Sequence, residues 1–463
     1  MSTAVKKKPF DWVLILCWTA LVAFGWLNIY SSSYSAEGAV FLGMSGRAFM
    51  QLVWVGICSL LAIALLHWIN PQIYIGLNLW LYIFVAALLA AVLVIGKDVN
   101  GSRSWFVLGP IRLQPSEFSK LTTALLLSVV VGRFDFKFNL KGILKILLIV
   151  GIPAALVLLE PDFGTILVFC GLVFVLYREG LTGWVIIYAA IAVILFILTL
   201  IFSISVAVTV FFGFWCLYRL LAFRTKKDYF RPMLLYLACI AALAVIEYFL
   251  VSYEYISPAA ALLMAVGISI AEGRRHLPWF KPLCILIAAV AVTFSVDYVF
   301  ENVLKQHHRD RIENLLGITQ DLQGAGYNVN QSKIAIGSGG LMGKGFLQGT
   351  QTKFDFVPEQ STDFIFCTIG EEWGFVGCVA VLAIYLIMII RLISRSEKCP
   401  DPVTRVFGYC LASYLFVHVV VNVGMTIGLM PVVGIPLPFI SYGGSSFLTF
   451  TAMLFVFIRL ERR

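Results

Sequence analysis

Charge is what this sequence has least of. Only 13% of its 463 residues are Asp, Glu, Lys or Arg, against 60% hydrophobic, whereas about a quarter of a soluble domain is charged. So few polar groups cannot clothe a water-facing surface of this size. That excludes a soluble globular protein and makes lipid the solvent for most of the chain. No stretch between the apolar runs is long enough for a separate soluble domain, so residues 1–463 read as one membrane domain. The ten cysteines include no CxxC pair and sit mostly inside apolar runs. They read as small core residues, with neither a metal cage nor a disulfide framework implied. An acidic balance is lacking too, the net charge being +9. The cations cluster in short loops between apolar runs, as the positive-inside rule requires, so nucleic acid is not expected as a partner.

What is present is a succession of apolar runs, each long enough to cross a hydrocarbon core. They fall near 12–32, 48–67, 73–95, 117–132, 142–159, 163–177, 183–203, 205–222, 232–252, 257–271, 280–299, 364–391, 405–423 and 444–460. The expected fold class is therefore an all-α polytopic membrane protein with about 14 transmembrane helices and both termini cytoplasmic. Lys6-Lys7-Lys8 precedes a first run too long for a signal-peptide core, which predicts an uncleaved anchor. Arg133, Lys137 and Lys141, then Arg178, then Arg224, Lys226, Lys227 and Arg231 lie in loops assigned inside. So do Arg274, Arg275 and Lys281, then Arg391, Arg395 and Lys398, and finally Arg459, Arg462 and Arg463. The stretch 183–222 is broken by little more than Ser203, Ser205 and, near its inner end, Arg219, and is expected to hold two spans with a tight turn. This topology leaves 96–116, 300–363 and the Gly- and Pro-rich 424–446 outside.

Ionisable groups at or within spans are costly and raise functional hypotheses. In Gln114-Pro115-Ser116-Glu117-Phe118-Ser119-Lys120, Pro115 and Ser116 open a helix, and Glu117 and Lys120 share a face. They are either a structural ion pair or, with Arg103 and Arg112, cations and their support for a phosphate-bearing ligand. Asp162 in Glu160-Pro161-Asp162 either caps the next helix or faces a shared cavity as an acid. The glycines around Lys344 resemble a phosphate loop but fail the Walker pattern, since Gly345 follows Lys344 where Ser or Thr should stand. A Gly-rich re-entrant or amphipathic hairpin fits better. Asp363 stands where the long outer segment turns into a span, either as an N-cap or as a functional acid. Glu371 lies about 12 Å deeper on the same helix. Glu371 and Glu372 require buried partners, and His418 and Asn422 are candidates.

These residues carry a resemblance. Arg103-x-Trp105, Gln-Pro-Ser-Glu-Phe-Ser-Lys (114–120), Pro161-Asp162-x-Gly164-Thr165, Gly324 to Tyr327 and Gln331 to Gly340 resemble the SEDS family (shape, elongation, division, sporulation) of peptidoglycan polymerases. Pro358-Glu359-x-x-Thr362-Asp363 and Asn422-x-Gly424 through Pro436 to Ser445 do so as well. The run Met430 to Pro438 is most similar to the elongation-type (RodA-like) branch. Departures are Glu160, where Gln is common, and Gln360-Ser361 before Thr362.

The resemblance implies a core of about ten spans, with about four extra helices within 183–299, and a large periplasmic catalytic loop at 300–363. It implies glycosyl transfer on lipid II at the outer face of a bacterial cytoplasmic (inner) membrane, during elongation and shape maintenance. Asp363 would be the general base. Arg103, Lys120 and Lys344 are expected at phosphates, Glu117 is expected to position Lys120, and Trp105, Asp162, Glu359, Thr362 and Glu371 are expected around the cavity. A divalent cation (Mg2+ or Mn2+) could share the work, although no His/Asp/Glu cluster fixes a metal site. The implied partners are a class B penicillin-binding protein transpeptidase and other elongation-complex membrane proteins. The alternatives are a lipid II flippase, a division- or sporulation-type polymerase, and a scaffold that recruits cell-wall enzymes.

Overall fold

A computed structural model describes residues 10–34, 45–99, 102–109, 111–223, 230–250, 256–273, 280–303, 326–354 and 356–462, with isolated residues between 306 and 313. Lys6–Lys8, Arg224, Lys226, Lys227, Arg274, Arg275, Gly324 and Arg463 lie outside the described residues.

The protein is an all-α polytopic membrane protein. Among the described residues nine helices are long and apolar enough to cross a bilayer, and shorter apolar helices lie at 163–178, 204–220, 233–249 and 256–270. The chain forms two compact units, one of residues 1–181 with 321–463 and one of residues 182–320.

In the first unit, α1 (Trp12–Ser32) and α2 (Gly46–His67) begin at caps, Asp11 and Ser45, whose side chains accept from backbone N–H groups of the first turn. The run expected at 73–95 is instead a short α3 (Pro71–Gly76) and α4 (Asn78–Ile95). The segment after α4, expected outside, is not a plain loop. It forms a three-stranded antiparallel sheet of β1 (Lys97–Val99), β2 (Ser102–Leu108) and β3 (Ile111–Leu113), with Phe106 opposite Leu113 and Val107 opposite Arg112.

Helix α5 (Pro115–Val131) starts directly from the sheet, with Pro115 in its first turn. Then come α6 (Leu140–Leu159), α7 (Phe163–Cys170) and α8 (Leu172–Arg178). The last two divide the run expected at 163–177, and Gly171 lies between them.

In the second unit, α9 (Trp184–Ile201) and α10 (Ile204–Phe223) are separated at Phe202 and Ser203, so the 40-residue apolar stretch makes two helices. With α11 (Phe230–Leu250), α12 (Ile256–Gly273) and α13 (Phe280–Tyr298) they make a bundle in which α10 touches all four others. Val208, Phe212, Trp215 and Cys216 of α10 are buried against Leu243, Ala265 and Leu286. The Trp215 indole donates to the Pro282 carbonyl at 2.8 Å, which satisfies a buried donor that lipid could not.

The first unit resumes with α14 (Tyr327–Gly339), α15 (Thr350–Lys353), α16 (Ile365–Glu397), α17 (Pro402–Thr426) and α18 (Gly444–Glu461). Helices α17 and α18 are buried over most of their length, as is α5, whose Thr122, Thr123 and Ser128 sit inside. Beyond a break at Gly374, helix α16 continues for about 35 Å at 1.5 Å per residue, which sets the charged groups at its far end well apart from those near its start. At the far end from Asp363, the buried Asp11 carboxylate takes Arg391 at 2.8 Å and Arg395 at 2.9 Å, and Arg395 also meets Glu461 at 2.7 Å. Glu179 pairs with Arg405 through two bonds of 3.0 and 2.8 Å. The Asp11 network ties the ends of α1, α16 and α18 together, and the Glu179 pair ties α8 to α17. Asp11→Asn should therefore lower thermal stability by about 1–3 kcal/mol, less than a fully buried pair because both arginines reach solvent. A fluorescence melt of purified protein checks this, and per-molecule activity should be retained.

Candidate functional site

Helix α16 does not begin with Asp363 as its cap. The capping position falls on Phe364, and Asp363 sits one residue earlier in a turn, half-buried. Val357 and Phe364 are buried with Ala335 and Cys367 beneath that turn. Glu359 has a left-handed backbone, φ 55°, a conformation that costs a non-glycine residue energy and points to constraint from its surroundings. Its carbonyl accepts from the N–H groups of Thr362 (3.1 Å) and Phe364 (3.2 Å), and its carboxylate accepts from the Thr362 hydroxyl at 2.9 Å.

Three successive carbonyls of the turn are then held from other elements. Ser361 O accepts from Tyr442 N at 2.9 Å, Thr362 O from Ser441 Oγ at 2.7 Å, and Asp363 O from Asn422 Nδ2 at 2.8 Å. Gly434, with φ 70°, faces the Asp363 carboxylate, and a Cβ built there would stand 3.4 Å from Asp363 Oδ2.

Around this turn runs a connected rim. Arg47, exposed in the first turn of α2, donates to Ser361 Oγ at 3.0 Å. Gln114 N donates to Ser445 Oγ at 3.1 Å, and Ser445 Oγ lies 3.3 Å from the Arg112 carbonyl, which joins the small sheet to the start of α18. Gln114 Nε2 and Ser116 Oγ each donate to Asp162 at 3.1 Å. Asp162 also caps α7, accepting from Thr165 N and Oγ1 at 2.9 Å. Gly164 lies against Ile435 and the Val433 carbonyl, which closes the circuit back to Gly434. On the sheet, Arg103 and Arg112 are exposed and Trp105 is half-buried opposite Lys97.

Lys120, expected above at a phosphate, is instead wholly buried. Its ammonium meets Glu117 at 2.8 Å and His418 Nε2 at 3.1 Å. The partners expected for Glu371 also differ, because a glycine-rich hairpin reaches it first. Helix α14 runs alongside α16, and the chain turns through Gly340 to Gly345 against Gly374, which breaks α16 with φ 64°. A side chain at Gly374 would collide with the backbone of Gly343 and Leu341.

The returning chain delivers its donors to Glu371. Oε1 accepts from Lys344 Nζ (2.7 Å), Thr350 N (2.8 Å) and Gln351 N (2.9 Å), and Oε2 from Thr352 N and Oγ1 (2.9 Å each). A carboxylate at the N-terminus of α15 satisfies N–H groups that otherwise lack partners. Glu372, also buried, accepts from Ser31 of α1. His418 and Asn422 serve the 435–436 backbone and the Asp363 turn rather than these acids.

Two site residues escape sequence reasoning. Arg47 is a lone arginine at the start of a span, in a loop that the sequence topology expects outside, against the inside bias, and that exception is the signal that could have marked it. Ser441, which bridges Leu437 N (2.7 Å) and Thr362 O, lies in the Pro436 to Ser445 run that carries the resemblance, but nothing in that run singles it out. Among the described residues no group of three His, Cys, Asp or Glu side chains stands ready for a metal ion.

Glu160 is fully buried beside Asp162, and burial together with that neighbour pushes its carboxyl up to about 8. The neutral form is the one the fold favours. Its contribution to stability is complete in acid and is lost as pH rises through about 8. Thermal stability should thus fall between about pH 4.5 and about pH 8 and level off above, and Glu160→Gln should flatten that fall in melts across the range.

A family profile of cell cycle proteins of the FtsW, RodA and SpoVE type matches residues 11–219 and 219–463. The chain is 32% identical to the peptidoglycan glycosyltransferase RodA of Treponema pallidum, over 96% of this chain and 95% of that one. It is 30% identical to the peptidoglycan glycosyltransferase MrdB of Escherichia coli, covering 97% and 93%. Among solved structures, it superposes on a chain from a peptidoglycan synthase complex that coordinates polymerization and crosslinking, with TM-score 0.61 and 25% identity over 98% of both chains. It also superposes on Thermus thermophilus RodA, with TM-score 0.52 and 25% identity over 98% and 97%.

Proposed function

This chain belongs to the SEDS family of FtsW-, RodA- and SpoVE-type proteins, and from that premise we propose that Asp363 is the base of its glycosyl transfer. The protein is a peptidoglycan glycosyltransferase that polymerises lipid II. The 4-hydroxyl of an incoming lipid II attacks the anomeric carbon of the growing glycan. The new C–O bond forms as the bond to polyprenyl diphosphate breaks, the leaving group takes the electron pair, and Asp363 takes the hydroxyl proton. The observation that carries this reading is the placement of Asp363: half-buried, backed by the bare Cα of Gly434, with its peptide fixed by Asn422.

Exposed Arg47 and Arg103 supply positive charge for the departing diphosphate, and Arg112 stands on the same sheet. Lys344 is less available because Glu371 and Thr350 hold its ammonium. Glu359 and Thr362 stiffen the turn, while Asp162 fixes the neighbouring wall.

The fuller topology belongs to the same proposal. It has about fourteen spans, a core of about ten with the extra helices in the second unit, both termini cytoplasmic, and the Asp363 rim periplasmic. The family works within the peptidoglycan synthesis machinery, and a class B penicillin-binding protein is the partner we infer for crosslinking. A flippase would need polar groups through both leaflets. Along α16 the buried acids stop at Glu372, and Cys378, Val381, Tyr385 and Met388 fill the interior below, which favours the enzyme. Purified protein given labelled lipid II and no nucleotide should produce glycan strands. Transbilayer movement of lipid II without polymer would support the flippase instead.

A further inference from the structure

We infer that Glu117, Lys120 and His418 form a buried positioning relay that sets the wall behind Asp363, and that Lys120 does not touch the diphosphate. This rests on Asp363 being the base.

Lys120 has no exposed surface. Its ammonium is shared between Glu117 Oε2 at 2.8 Å and His418 Nε2 at 3.1 Å, and it lies 5.3 Å from the centre of the Phe450 ring. A cation held by a carboxylate, an imidazole and a ring face is already fully served. A phosphate arriving from the rim would have to displace the carboxylate first.

The donor logic of the histidine then fixes the direction of the relay. Its Nδ1 lies 2.9 Å from the Pro436 carbonyl. A carbonyl only accepts, so Nδ1 carries the hydrogen and Nε2 presents a lone pair. Lys120 donates to that lone pair while its charge is balanced by Glu117. The chain reads Glu117 carboxylate, Lys120 ammonium, neutral His418, Pro436 carbonyl.

What it holds is the segment behind the proposed base. Ile435 O accepts from Asn422 at 2.7 Å, Pro436 O from His418, and Leu437 N donates to Ser441 Oγ at 2.7 Å. Three consecutive residues are thus fixed by three side chains. Two of those side chains, Asn422 and Ser441, also grip the carbonyls of Asp363 and Thr362. Gly434, next in line, faces Asp363 Oδ2. Movement at Pro436 would therefore be felt at the carboxylate, and a shift of about 1 Å at a reacting group can cost about a hundredfold in rate.

The test compares kcat, KM and direct lipid II binding in purified variants. Glu117→Gln combined with Lys120→Met removes both charges together, so neither is left buried alone. It should lower kcat by about 10- to 100-fold with KM and lipid II affinity changed by less than about threefold. His418→Asn, whose amide can still donate to Pro436 O, should keep most of the turnover. His418→Gln, whose amide reaches towards Lys120 instead, should lose about as much as the charge-pair variant. Adding the Glu117/Lys120 pair to His418→Asn should then cost little more. A loss of lipid II affinity on removing Lys120, present equally in the His418→Asn background, would make Lys120 a phosphate ligand and overturn the relay. Equal losses for His418→Asn and His418→Gln would overturn it as well. Activity surviving in Asp363→Ala would instead reject the base assignment.

Discussion

Asp363→Asn should lower kcat for lipid II polymerisation by about 10²–10⁴-fold, the range for removing a general base, while KM changes little. The amide matches the carboxylate in shape and keeps the backbone bond from Asn422, so the turn should stay folded. What it cannot do is accept a proton. Asp363→Glu should restore only part of the rate, because one added methylene moves the oxygens away from the position that Gly434 leaves open. Saturation kinetics with labelled lipid II separate the two parameters. A fall confined to KM would mean that the carboxylate binds substrate and does not take its proton. A scaffold would tolerate Asp363→Asn without any loss of rate.

The second large effect is expected at Glu371. Its carboxylate is fully buried and accepts from one ammonium, three backbone N–H groups and the hydroxyls of Thr350 and Thr352. Glu371→Ala takes the acceptor away from all of them; Lys344 and Thr350 reach solvent, but the Thr352 donors are buried, and unpaired buried groups of this kind cost about 1–3 kcal/mol each. The hairpin from Gly340 to Lys353 should detach from α16. Proteolysis at that segment should rise, and polymerisation should fall by about 10²-fold through misplacement of the turn that follows. Glu371→Gln should be milder on folding but still costly, because its amide NH2 meets donors on one side. Limited proteolysis and the rate assay together decide it. Loss of rate with an intact, protected hairpin would mean that Glu371 acts on substrate and not on the loop.

Much of the fold was legible because the apolar runs are long and their ends are chemically marked. Asp11, Asn139, Asp162 and Asp401 each cap the helix that the hydropathy predicts after them. The sheet at 97–113 was not legible, since its strands are short and carry Arg103, Ser104 and Arg112 in place of an apolar alternation.

The site was legible in part. Sequence spacing puts Glu371 in the helix that follows the Asp363 turn, but does not say which element comes to meet it. The expectation turned to His418 and Asn422, on another span, whereas the partner is the returning limb of the glycine-rich hairpin, whose approach Gly339, Gly343 and Gly374 permit. The phosphate expectation for Lys120 comes from Arg103 and Arg112 standing near it in sequence, whereas His418, 298 residues away, is not visible there as its partner.

The most direct measurement is of which side of the membrane the Asp363 rim faces. Lys353, exposed just before the turn, and Lys398, exposed at the far end of α16, would each be replaced by cysteine in a background lacking the exposed Cys170 and Cys284. In intact spheroplasts an impermeant maleimide should label Lys353→Cys and leave Lys398→Cys untouched until lysis. Labelling in the opposite order would put Asp363 on the cytoplasmic side, away from the headgroup of exported lipid II, and contradict its role as the base.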